Sequence, residues 1–195
     1  MYEYIAGTLV DVSPTEAIVE AGGVGYRLLI SLSTFSSLQN FKDQSVKIFT
    51  YHQVREDDEA LFGFADKRER EVFVLLISVN GVGPGSARMV LSAMTADETR
   101  EAIVSNDVNR FKAVKGIGLK TAQRIILELK DKIGKGSEEL PFAGGASSAV
   151  KEEASSALTL LGFAKPAVEK VVASVLKEKP DCSLEELIKK SLKML

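Results

Sequence analysis

Over the first 64 residues, apolar and polar positions alternate in short runs. Ile5, Thr8–Val12, Ala17–Glu20, Tyr26–Ile30, Val46–Tyr51 and Ala60–Phe64 are rich in β-branched, leucine and aromatic residues. Ser13-Pro14, Gly22-Gly23 and the polar run Glu56–Glu59 separate them with turn chemistry. Some five short strands in this length predict a small antiparallel barrel of the OB type, with Ser33–Leu38 as a helical turn across one end. From Lys67 the period lengthens. Val72, Leu75, Leu76 and Val79 recur at helical spacing, and further helices are predicted around Gly85–Met94, Asp97–Ser105, Val108–Val114 and Leu119–Ile133.

Residues 134–148, GKGSEELPFAGGASS, have the small and flexible composition of a linker. The remainder, 149–195, predicts three short helices. The first, Val150–Leu161, is stopped by Gly162-Phe163; the second opens at Lys165-Pro166. The third starts near Ser183, which forms a capping-box pattern with Glu186. The fold class is therefore α+β and multidomain: an OB-type barrel (1–64), a central helical domain (65–133), a linker (134–148) and a three-helix domain (149–195). A helical trio of this size buries little, so docking to another protein is its expected work.

The central segment repeats itself. Leu76–Leu91 is LISVNGVGPGSARMVL and Phe111–Ile126 is FKAVKGIGLKTAQRII, offset by 35 residues. Val79 matches Val114, Gly81 matches Gly116, Val82 matches Ile117, Gly83 matches Gly118 and Ala87 matches Ala122. Each copy is a helix, a Gly-apolar-Gly turn and a second helix. The glycines permit positive φ and leave no side chain between main chain and ligand. The apolar residue can plug into the helix pair. The next helix starts at once, so its free N–H groups face outward at its positive end, where a phosphate fits whatever the base. Two copies in register predict tandem helix–hairpin–helix DNA binding.

Charge supports this once it is divided. The net charge of −2 splits into −5 over 1–64, +3 over 65–133 and zero over 134–195. Seven basic residues lie within 108–132, against Glu128 and Asp131, and local patches are what attract phosphates. No apolar run is long enough to span a membrane. The start, MYEYIAGTLVDV, reads as a strand rather than a signal peptide. The single cysteine, Cys182, excludes an internal disulfide framework and suits a reducing cytoplasm. GIGLKT at 116–121 is no P-loop, because Leu119 separates glycine from lysine and no strand precedes it. GVGPG at 81–85 follows a helix and is not a dinucleotide fingerprint. His52, the one histidine, lies in a strand without an evident partner and reads as structural.

Several separate motifs, GGVGY at 22–26, VRED at 54–57, LFGF at 61–64, NGVGP at 80–84, KGIG at 115–118 and ALTLLGF at 157–163, give the whole chain a resemblance to the RuvA family of Holliday junction branch-migration subunits. That resemblance implies a non-catalytic homotetramer, or a face-to-face octamer, holding an open four-way DNA junction. Neither cofactor nor metal is implied. Asn80, Gly81, Val82, Gly83 and Gly85 of the first hairpin, with Lys115, Gly116, Ile117, Gly118 and Lys120 of the second, match the family's DNA-binding positions, and Lys120 and Arg124 would add charge. The chain departs from the family at Gly85 and Leu119, where lysine is common, which implies more reliance on main-chain amides.

The acidic run Glu56–Glu59 has three readings. It can be a solvated hairpin tip. A metal-dependent nuclease centre would need carboxylates converging from separate elements, whereas neighbours on a strand point apart. The resemblance matches Glu56 and Asp57 to the family's acidic pin, which repels phosphate at the junction centre and so rejects plain duplex; Arg55 beside it would guide a strand. The resemblance also makes the terminal helices the docking module for the hexameric ATPase RuvB, through Leu158, Leu161, Phe163, Val168 and Val172 among others, with the resolvase RuvC in the same complex. Two rivals stand beside this reading. One is a helix–hairpin–helix repair glycosylase using Lys120 with Glu128 or Asp131. The other is an adaptor whose hairpins only pack domains together.

Overall fold

The computed structural model describes residues 2–134, 146–179 and 182–195. They fall into two compact units, Met1–Ser137 and Glu138–Leu195.

The first unit opens with five strands: β1 (Tyr4–Val12), β2 (Glu16–Ala21), β3 (Val24–Ile30), β4 (Ser45–Val54) and β5 (Glu59–Phe64). They close in the order β1-β2-β3-β5-β4. All neighbours are antiparallel except β3 and β5, which pair in parallel through Leu29–Phe62 and Ile30–Gly63. The alternation noted above becomes inside and outside. Leu9, Ala17, Val19, Leu28 and Ile48 fill the barrel and are fully buried. The short helix predicted at Ser33–Leu38 is α1 (Leu32–Leu38), capped by Ser31, which accepts from the Thr34 N–H.

Five helices follow: α2 (Lys67–Ile77), α3 (Pro84–Ala93), α4 (Ala96–Val104), α5 (Val108–Lys112) and α6 (Leu119–Gly134). The change of period near residue 65 is no break in packing. Phe73 of α2 lies against Tyr51, Phe62 and Phe64 of the barrel wall, with ring centroids 4.9 to 5.4 Å apart, and these rings join the helical core. Thr95 and Glu98 form a reciprocal capping box at the start of α4.

The second unit holds α7 (Ala146–Leu160), α8 (Lys165–Glu178) and α9 (Leu184–Leu192) around Ala154, Leu158, Val168, Val172, Val175, Cys182 and Leu187. Helix α7 closes at Gly162, which has φ +99°, with the Phe163 N–H donating back to the Leu158 carbonyl at 3.3 Å. Ser183 caps α9, but only half of the expected box forms. The Glu186 carboxylate instead accepts from Lys179 at 2.9 Å. Most of the predicted linker lies outside the described residues; Gly134 closes α6, and 146–148 already belong to α7. No helix among the described residues is long and apolar enough to cross a membrane.

Candidate nucleic-acid interface

The repeat folds twice into the same turn. Between α2 and α3 the Val82 N–H donates to the Val79 carbonyl at 3.0 Å; between α5 and α6 the Ile117 N–H donates to Val114 at 3.0 Å. The third residue of each turn, Gly81 or Gly116, has φ near +90°, the value a type II turn reserves for glycine. Val82 and Ile117 are each 5% exposed and plug the turn into the helices, as their apolar character predicts. The Ala87 and Ala122 N–H groups then donate to Gly83 and Gly118 at 2.9 Å and start the following helices.

The second glycine has a different reason from the first. Gly83 caps α3 with φ −86°, a conformation any residue adopts, so in the first turn only Gly81 uses the positive φ that glycine permits. No side chain caps α3. A Cβ at Gly81, Gly83, Gly85, Gly116 or Gly118 would meet nothing within 4 Å. The protein itself does not crowd these positions; bareness leaves the first N–H groups of α3 open to a ligand outside.

The positive charge is narrower than the count of basic residues implied. Lys130 donates to Asn106 Oδ1 and Lys132 to Ser78 Oγ, both at 3.1 Å. Arg110 pairs with Glu101 and Asp107. Arg124 Nη1 donates to the Asn80 carbonyl at 3.1 Å, and its Nε lies 3.7 Å from Glu128. Lys115 and Lys120 are exposed beside the second turn and pair with no carboxylate among the described residues.

The acidic run divides between strand and tip. Val54 pairs with Glu59, and the Arg55 N–H donates to the Asp58 carbonyl at 2.8 Å, leaving Glu56 and Asp57 exposed at the apex of the β4–β5 hairpin. Glu59 is engaged by His52 Nε2 at 2.5 Å, and the His52 ring lies 5.2 Å from Tyr2. His52 thus has a partner that its place in the sequence hid. With its amide oxygen turned to Arg55, Gln53 accepts from the guanidinium at 2.6 and 2.9 Å. Among the described residues no three His, Cys, Asp or Glu side chains converge as a metal-ligand set.

In the second unit the five residues expected at a partner surface separate. Leu158, Val168 and Val172 are fully buried and hold the helices together, and Phe163 is partly buried against them. Leu161 is 62% exposed, and its neighbour Leu160, not singled out from the sequence, is 88% exposed.

Three family descriptions match the chain in order: RuvA N terminal domain over residues 1–63, SAM-like helix-hairpin-helix tandem over 73–131, and RuvA C-terminal domain over 149–195. Among similar proteins are those described as Holliday junction branch migration complex subunit RuvA from Bacteroides fragilis (47% identical), Bacteroides thetaiotaomicron (48%) and Parabacteroides distasonis (49%). Each comparison covers the full length of both chains. With barrel, twin hairpins and helical trio matched in sequence as well as in order, the chain belongs to the RuvA family.

Proposed function

We propose that this protein binds four-way DNA junctions through its two glycine turns and serves branch migration as the non-catalytic subunit. The observation that carries the reading is the doubled turn: two turns with the same closing hydrogen bond and the same glycine φ, each opening a helix and each with open space over its glycines. Amides so arranged bind backbone phosphate without reading base sequence. Asn80, Gly81, Val82, Gly83 and Gly85 form one contact, and Lys115, Gly116, Ile117, Gly118 and Lys120 the other.

Glu56 and Asp57 supply the opposing element. Exposed at a hairpin apex, they repel phosphate and so favour a DNA form with an open centre. A homotetramer would present four such tips together, and a second tetramer could cover the other face of the junction. The three-helix unit docks the ATPase RuvB through its outward leucines, Leu160 and Leu161, while Leu158, Val168 and Val172 keep that surface in shape. RuvC joins the same cytoplasmic complex.

A mobility-shift comparison of an immobile four-way junction with linear duplex, across a salt series, tests this. Preferential and salt-dependent binding to the junction is expected. Equal affinity for both DNA forms would overturn the reading, and release of abasic product from damaged duplex would overturn its non-catalytic part.

A further inference from the structure

The two turns are alike in backbone and unlike in charge. At the fixed offset, Lys115, Lys120 and Arg124 of the second copy correspond to Asn80, Gly85 and Met89 of the first. The first copy's own arginine, Arg88, is turned away and donates to the Thr15 carbonyl on the barrel at 3.2 Å. The first turn therefore has no side-chain cation of its own beside it.

It has a borrowed one. Arg124 Nη1 reaches from α6 to the Asn80 carbonyl at 3.1 Å. That carbonyl belongs to the central peptide of the turn Val79–Val82, whose closing bond is 3.0 Å long. A peptide unit is planar and trans, so its C=O and N–H point in opposite directions. Holding the Asn80 oxygen toward α6 therefore aims the Gly81 N–H away from it. The central peptide is also the one whose rotation distinguishes type I from type II turns. For the second turn the position equivalent to Arg124 is Met89, on the first copy's helix, which has no donor to offer the Lys115 carbonyl. Lys132 adds another tie from α6, to Ser78 Oγ just before the first turn.

We propose that Arg124 is a positioning residue for the first hairpin: it locks the Asn80–Gly81 peptide and so couples the first turn to the helix that carries the second. Its charge is opposed by Glu128, 3.7 Å from Nε, and it contributes through geometry, not as a phosphate contact. The proposal rests on the reading that both turns grip DNA, and its test separates the two.

The first arm needs no DNA. Backbone 15N relaxation, including relaxation dispersion, is measured on the full chain, with Gly116 as the internal control. In Arg124→Ala the Gly81 N–H is expected to gain motion, its order parameter falling from the rigid value of about 0.85 toward about 0.6, while Gly116 is unchanged. Lys120→Ala should leave both alone. In the second arm, junction affinity is followed against salt. Arg124→Ala should weaken binding about tenfold with the slope of log K against log salt retained, whereas Lys120→Ala should lower that slope by about one. Arg124→Lys keeps the charge but loses the forked donor, so binding stays weak. A Gly81 as rigid in Arg124→Ala as in the wild type, a slope lowered by about one, or full recovery by lysine would each overturn the proposal. Failure of the wild type to prefer the junction would instead sink the functional reading, and the relaxation result would still decide the lock.

Discussion

Thr34 Oγ1 donates to Glu69 Oε2 at 2.6 Å, and this contact fastens α1, on the end of the barrel, to the first turn of α2. Ser31 donates to the other carboxyl oxygen, and the Ala65 N–H donates to Thr34 Oγ1 at 3.1 Å. Glu69 is buried. Its burial raises the carboxyl pKa above the ordinary range, against the two hydroxyl bonds that pull it down. The folded chain thus holds this proton to a higher pH than the unfolded chain. The stability this provides is full below the usual carboxylate range and is lost as pH rises through the elevated value. Glu69→Gln should flatten that decline in urea midpoints taken between about pH 4 and 8. Glu69→Ala, which strands both hydroxyls, should cost about 1–3 kcal/mol.

Bareness at the α3 N-terminus can be tested without disturbing the turn. Gly83 already has N-cap geometry and room for a side chain, so Gly83→Asp should change stability by only a few tenths of a kcal/mol. The new carboxylate would take the free amides and repel phosphate. Junction affinity should fall at least about tenfold, read by mobility shift beside a thermal melt. Gly81→Ala differs, because φ +90° strains alanine; a loss of about 1–2 kcal/mol in the melt is expected there.

The hairpin tip should control which DNA form is accepted. Glu56 and Asp57 are exposed and outside the strand ladder, so the double change Glu56→Lys with Asp57→Lys should alter stability by less than about 0.5 kcal/mol. Linear duplex should bind more tightly and with a steeper salt slope, and the preference for a junction should shrink. Unchanged preference in a competition assay would count against a selective role for the tip.

The second unit offers a contrast between neighbouring leucines. Leu158 is fully buried, and Leu158→Ala should cost about 2–5 kcal/mol of that unit's stability. Leu161 is largely exposed, and Leu161→Ala should leave the melt unchanged yet weaken ATPase-driven branch migration. Migration at wild-type rate in Leu161→Ala together with Leu160→Ala would place the docking surface elsewhere.

Local information carried much of this structure to the surface of the sequence. Period-two runs located every strand, and the 35-residue repeat located both turns, because each depends on neighbours a few residues apart. What stayed hidden depends on tertiary register. Ser31 and Thr34 lie 38 and 35 residues from Glu69, and Arg124 lies 44 from Asn80; no spacing rule joins them. The His52–Glu59 pair was nearer to view, since both flank one hairpin, but reading it needs the register of β4 on β5. Leu158 and Leu161 share one apolar pattern, and only the packing of α8 against α7 decides which of them faces inward. The Thr95–Glu98 box is a local signal, readable from the three-residue spacing alone.

The parallel pairing of β3 with β5 has a consequence for assembly. Where that seam is shut, at Leu29–Phe62 and Ile30–Gly63, neither strand offers unused amides and carbonyls on which a foreign strand could crystallise. Association between copies of this chain therefore cannot proceed by adding a strand across that seam. Point changes on the outer wall leave the ladder within whole, and bringing barrels close together does not invite them to fuse through that seam into fibrils.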